Sequence, residues 1–353
     1  MTGAGMELGI ITLSDLQRDP ATGRRVEPRR RLAETLRYAE LADTLGLDVF
    51  GVGEHHSADF AVPSPAVVLA AIATCTSSIR LTSAVTVLSV LDPVRVYEDY
   101  ATLDLLSGGR AELIVGRSAF TEPFALFGID LDDYDAAFDE KLDLLLRLRE
   151  QGQIARWRGR FRPPLQEADI IPRAIDLPVW VGVGGSPGSP ERAGRLGLPM
   201  TLGLIGGSID HARRTVDAYR TAGEAAGHAD RLRVAISTHF YAAGTPEAAR
   251  DVYPYYHEYL RPKRPGGRGF TISRAQFDAG TAPGMALMIG SSEEITEKIL
   301  HAHQVLGIDR FYGQADWGGL PRGRVEESIA RLAGDIAPVV RRATTSTEAG
   351  VSS

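Results

Sequence analysis

Glu54, His55 and His56 stand together just beyond the apolar run Val49-Phe50-Gly51-Val52, separated from it only by Gly53. A carboxylate beside imidazoles can move protons near neutral pH. Neighbouring side chains on an extended segment point to opposite sides, so only one of the two histidines can face a common pocket. This argues against zinc held by the pair, and no metal site is expected. The facing histidine is either an acid–base group or a packed ring, and the residues alone leave both open. Arg117 closes another apolar run, Val115-Gly116, where its planar guanidinium suits either an anionic ligand or a surface ion pair. A third run ends in Gly182-Val183-Gly184-Gly185-Ser186-Pro187-Gly188-Ser189-Pro190, directly before a helical pattern. Backbone N–H groups and hydroxyls at a helix start suit a phosphate, while a plain tight turn is the alternative. The spacing is not G-x-G-x-x-G and no acidic residue closes Met200 to Ile205, which weakens a nicotinamide dinucleotide site. His239 lies near the end of a further run and could line the same pocket. His211, His228, His257, His301 and His303 fall in helical or turn regions and read as structural.

These groups need a scaffold that brings the ends of separate runs together. Strand and helix patterns alternate along the chain: Glu7 to Leu13 then Arg30 to Leu45, Asp48 to Gly53 then Pro65 to Thr76, Ile79 to Val87 then Val94 to Leu106, and Arg110 to Val115 then Tyr134 to Glu150. The second half continues with Leu177 to Val183 then Pro190 to Leu196, Met200 to Ile205 then Ile209 to Gly227, Leu232 to Tyr241 then Glu293 to Leu306, and Arg310 to Gln314 then Arg324 to Val340. This α/β alternation predicts a closed (β/α)8 TIM barrel with insertions, its site at the C-terminal ends of the strands, and an open doubly wound sheet is the alternative. The insertions are Gln151 to Asp176 and, between the seventh strand and its helix, Thr245 to Ile289. Within the second, roughly Tyr253 to Met288 is expected to form a mobile lid, in which the run Arg261 to Gly269, lying between aromatic helical sequence and the next helix, is denied a regular element by its prolines and glycines and carries Arg261, Lys263, Arg264 and Arg268, a solvated loop or dimer contact being the alternative. Residues 1–342 are expected to form one domain, and the small polar residues 343–353 a disordered tail.

Of the 353 residues, 44% are hydrophobic and 24% charged, an ordinary balance for a globular chain with a large core. The formal charge of −6 gives no general attraction to phosphate backbones, so nucleic acid is not an expected partner. No apolar stretch predicts a signal peptide or membrane span, and the single cysteine, Cys75, cannot form an internal disulfide. A cytoplasmic protein is expected, with Cys75 a small buried core residue.

Together, Glu54-His55-His56, Asp92-Pro93-Val94-Arg95, Leu103-Asp104-Leu105-Leu106-Ser107-Gly108-Gly109-Arg110 and Gly116-Arg117 resemble the luciferase-like monooxygenase family in type, order and spacing. The likeness continues through Phe124 to Gly128, the glycine and serine turn, Arg192 to Pro199 and Gly290-Ser291-Ser292-Glu293-Glu294, covering roughly residues 6 to 340. The resemblance implies FMN, delivered reduced by a separate flavin reductase and reacting with oxygen as a C4a-hydroperoxide to oxygenate a small organic substrate. It implies His55 as the active-site histidine, Glu54, Ala84, Val85 and Arg117 as flavin contacts, and Gly184, Gly185, Ser186 and Ser189 as the phosphate turn. A cis peptide between Ala84 and Val85 and a homodimer are also expected. Three departures stand out. Ser118 occupies a position where many relatives have glycine, and Gly185 replaces the acidic residue of luciferase itself, which speaks against light emission. The residues Asp132, Asp133 and Asp135 lack the second arginine expected there, leaving Arg117 and the turn for the phosphate. The alternatives are an F420-dependent hydride-transfer enzyme of the same superfamily and a non-catalytic flavin-binding protein.

Overall fold

The apolar runs form parallel strands in the computed structural model, which describes residues 5–118, 120–151, 153–262 and 269–348. The strands are β1 (Glu7–Thr12), β2 (Val49–Val52), β3 (Arg80–Ser83), β4 (Ala111–Gly116), β5 (Val179–Val183), β6 (Met200–Gly203), β7 (Val234–Ala243) and β8 (Arg310–Asp316). Each pairs in parallel with the next, and β8 pairs with β1, so the sheet closes into a barrel. The returning helices are α1 (Pro28–Thr44), α2 (Pro65–Cys75), α3 (Pro93–Ser107), α4 (Tyr134–Glu150), α5 (Gly188–Arg195), α6 (Ile209–Ala225), α7 (Ser292–Leu306) and α8 (Arg322–Arg331). Proline opens α1, α2 and α3, where a missing N–H is harmless. Asp92 caps α3 by accepting the N–H of Val94, and Gly108, with φ of 70°, ends it.

Strand alternation sends Ile11, Ile114, Trp180 and Tyr312 into the barrel with Val49 and Ala235. The N-terminal end of the barrel is shut by charge. Arg310, fully buried, donates to Glu112 at 2.6 and 3.1 Å and to Glu7 at 2.6 Å, with its guanidinium 4.5 Å from the Trp180 ring centre. Burial pushes the Glu7 carboxyl up, but Arg310 and Arg80 outweigh it and hold the group at about 2.

Between Ser83 and the short strand Thr86–Val87 the chain bends, and the Ala84–Val85 peptide is cis as expected. Two glycines make room for Val85. A Cβ on Gly116 or Gly182 would lie 2.5 or 2.8 Å from its methyl groups.

The first expected insertion carries an antiparallel hairpin, Gln153–Trp157 with Leu165–Asp169. The second contains helices at Pro246–Arg250, Tyr253–Leu260 and Arg274–Thr281, then Met288–Ser291, a strand that extends the sheet beside β7. The helix Tyr253–Leu260 is the aromatic helical sequence expected before Arg261, whereas the helix Arg274–Thr281 was not expected. Pro254 lies in a first helical turn, where it costs no hydrogen bond, and Ser273 with Gln276 forms a reciprocal cap. Residues 263–268, the centre of the expected lid, lie outside the described residues. The last helix runs from Ala337 to Glu348, through the start of the expected tail, because Thr344 is buried and accepts the Met6 N–H at 2.9 Å. Residues 349–353 lie outside the described residues. Cys75 ends α2 half-buried rather than in the core, since Leu69, Ile72 and Ala73 form that helix's buried face.

Candidate active site

The C-terminal ends of the strands surround a cavity of about 730 Å³. Its floor is apolar, with Ile11, Ala84, Val85 and Ile114 in the wall. On one side the loop after β1 pairs with the loop after β2: the N–H of Leu16 donates to the Asp59 carbonyl at 2.7 Å and that of Ala61 to the Ser14 carbonyl at 3.0 Å. This seats Phe60 against His55, ring centres 4.0 Å apart and nearly parallel, while Phe120 meets the imidazole edge-on at 4.9 Å.

The two histidines divide as extended geometry requires. His55 lines the cavity, and burial, helped by neighbouring His56, pushes it down to about 4, so it is neutral at pH 7. His56 turns away and bonds Glu54 at 2.8 Å, with Phe127 edge-on at 5.0 Å. The other Glu54 oxygen accepts the Val87 N–H at 3.0 Å. Glu54 borders the cavity with both oxygens engaged, and its bond to Val87 ties the end of β2 to the chain just beyond Ala84 and Val85.

Arg117 enters from the end of β4, its side chain only 9% exposed, with Tyr134 4.7 Å from the guanidinium. It donates to Ser189 Oγ at 2.5 Å and pairs with Asp135. Gly184, Gly185 and Ser186 line the cavity beside it. Ser189 is buried behind Arg117 and anchors it rather than forming cavity wall. Ser118, with φ of 74°, adopts the left-handed conformation that favours glycine, and its hydroxyl accepts the Phe120 N–H at 2.9 Å, which steadies the loop.

Several wall residues were not anticipated. Phe60, Phe120 and Phe270 come from irregular segments without periodicity, and Gln17 and Gln314 from the β1 loop and β8. His239, proposed from its position near a strand end, lines the cavity and bonds Tyr256 Oη at 2.9 Å, and burial pushes it down to about 4. Arg192 on α5 reaches toward Asp135 at 3.5 Å, bringing a second guanidinium to the carboxylate that pairs with Arg117, from α5 rather than from the start of α4. Leu260, Arg261, Gly269 and Phe270, the described flanks of the expected lid, also border the cavity.

A mononucleotide flavin fits these donors. Added Cβ atoms at Gly184 and Gly185 would meet nothing within 4 Å, so backbone is open to a phosphate beside Arg117 and the start of α5. Deeper in the wall, Thr201 Oγ1 is buried without a hydrogen-bond partner, as a polar cofactor edge requires.

The model of the luciferase-like monooxygenase family matches residues 6–310. The chain belongs to that family. One relative, 4-hydroxyprotoasukamycin monooxygenase of Streptomyces nodosus subsp. asukaensis, is 32% identical over 64% of this chain and 63% of its own. The oxygenase component of flavin-dependent trigonelline monooxygenase from Acinetobacter baylyi is 22% identical over 86% and 89%. For the first curated relatives, the chain spans a little over half of their length, 56% and 55%. Among solved structures, monooxygenase RslO1 from Streptomyces bottropensis superposes with a TM-score of 0.80 at 24% identity, covering 95% and 99% of the two chains. Coenzyme F420-dependent tetrahydromethanopterin reductase from Methanopyrus kandleri gives 0.73 at 18%, covering 96% and 100%. At these identities the structural likeness is one of fold.

Proposed function

We propose that this luciferase-like chain is an FMN-dependent monooxygenase, receiving reduced flavin from a separate reductase and oxygenating a neutral, largely apolar small molecule. The observation that carries the reading is the meeting, in one cavity, of a guanidinium-and-glycine anion site, an apolar floor and a neutral histidine wedged between phenylalanines. Arg117, Gly184, Gly185 and Ser186 would hold the phosphate, and Ala84 and Val85 would support the ring system. Bound reduced FMN supplies the electrons that activate oxygen. His55 then holds or moves one proton at a ring nitrogen, and Phe60 and Phe120 keep water from it.

The substrate class follows from the wall. Asp59 is paired with Arg25, Arg117 with Asp135 and Arg261 with Glu258, so these charges are already matched, and both Glu54 oxygens are taken up by hydrogen bonds to His56 and the Val87 N–H. Gln17 Oε1 is buried and without a hydrogen-bond partner, suited to one donor on an otherwise apolar compound. The oxygenase-component relative supports a partner reductase. A homodimer belongs to the same proposal, supported by the neighbouring exposed Leu105 and Leu106 at the end of α3. Among the described residues no helix is long and apolar enough to cross a membrane, and we place the enzyme in the cytoplasm with its reductase.

An F420-dependent hydride-transfer enzyme is the second reading, favoured by the full-length overlap with the tetrahydromethanopterin reductase. Reduced FMN, labelled oxygen and a panel of neutral compounds separate the readings. Monooxygenation adds one labelled oxygen to a product without NADPH. Product formation only with F420 supports the rival, and flavin oxidation yielding only hydrogen peroxide supports a non-catalytic flavin-binding protein.

A further inference from the structure

Asp135, the second residue of α4, pairs with Arg117 of the anion site. Its carboxylate meets Arg117 Nη1 and stands 3.5 Å from Arg192 Nη2, so it bridges two guanidiniums contributed by different βα units. The partners differ in freedom. Arg117 is 9% exposed, fixed by Ser189 and Tyr134, and part of the cavity wall, whereas the Asp135 side chain is 63% exposed. Arg192 lies outside the wall, 15% exposed, over the Phe138 ring and paired with Asp139. Two guanidiniums therefore face two carboxylates, and the positive charge that should draw a phosphate dianion is cancelled at rest.

We infer that Asp135 is a resident counter-ion of the phosphate site: flavin phosphate displaces it from Arg117, and Arg192 retains it. The inference rests on the FMN reading above. A short side chain in contact with solvent can rotate away, while the buried arginine cannot follow, so the carboxylate is the moving member. Flavin binding becomes an exchange of one anion for another rather than the filling of a bare cationic site. The exchange lowers affinity and speeds release, which suits a protein that takes flavin from a reductase and returns it each turnover. Arg192 makes the exchange easier by keeping a partner for Asp135 after Arg117 has been taken.

Titration of the full chain with FMN and with riboflavin, followed by flavin fluorescence, tests this, because riboflavin lacks the phosphate. Asp135→Asn should tighten FMN binding about three- to tenfold, steepen its dependence on salt and leave riboflavin binding unchanged. Asp135→Ala should act in the same direction. Arg192→Gln should weaken FMN binding when Asp135 is present and have no effect in the Asp135→Asn background. Unchanged or weaker FMN binding by both Asp135 variants, or equal tightening of riboflavin, overturns the counter-ion role while leaving the flavin site standing. Failure of the unsubstituted protein to bind either flavin overturns both readings together.

Discussion

The two ends of the barrel both carry ionisable side chains, and they use them in opposite ways. At the N-terminal end, Arg310 is enclosed with Glu7 and Glu112, donates to both carboxylates and to Tyr312 Oη at 2.8 Å, and lies over the Trp180 ring. At the C-terminal end, the Arg117–Asp135 pair meets solvent, His55 faces a cavity, and Thr201 and Gln17 keep buried oxygens unpartnered. Closed pairing gives a rigid base but no reactivity, whereas incomplete pairing leaves polar capacity for a ligand.

The largest expected effect lies at the closed end. Arg310→Ala should lower unfolding stability by about 3–5 kcal/mol, because Glu112 and Glu7 would be left buried without their shared cation. Urea denaturation measures it, and a loss below about 1 kcal/mol would erase the contrast between the ends. At the open end, His55→Ala should retain the fold and FMN binding yet reduce coupled product formation about a hundredfold. An unchanged product yield would remove His55 from the chemistry. Arg117→Ala should weaken FMN about ten- to hundredfold with little loss of stability, which calorimetry and unfolding can compare.

The smallest effect concerns pH. His55 and His239 are held at about 4 by burial, below the 6.5 of an exposed histidine. Above pH 6.5 both folded and unfolded chains carry them neutral. Between pH 6.5 and 4 the unfolded chain binds protons that the folded one refuses, so stability falls with pH, by at most ~1.4 kcal/mol per unit for each histidine. His239→Gln should flatten this loss, seen as a smaller difference between urea midpoints at pH 7 and pH 5, and an unchanged difference would mean that His239 titrates normally.

The barrel was legible because its strands are short apolar runs between helices with clear starts, such as Asp92-Pro93, and clear stops, such as Gly108. That only one of His55 and His56 would face the pocket was legible from strand alternation, and the family resemblance named His55 as that one. Met288–Ser291 was hidden because it lies in an apolar stretch beside a proline- and glycine-rich insertion and gains its partner only from the end of β7. The Arg192 contact with Asp135 was hidden for a different reason. Nothing local couples α4 to α5, and only the packing of adjacent βα units brings these charges together. Phe60 and Phe120 escaped notice because loop residues carry no period; backbone bonds between loops set Phe60 beside His55, and the Ser118 hydroxyl holds the Phe120 N–H.

The account turns on whether the open mouth holds reduced flavin through its phosphate, and anaerobic titration of the protein with reduced FMN asks this most directly. The expected result is saturable one-to-one binding that Arg117→Ala weakens at least tenfold while riboflavin binding changes little. Absence of binding, or FMN binding indifferent to the loss of Arg117, would contradict it.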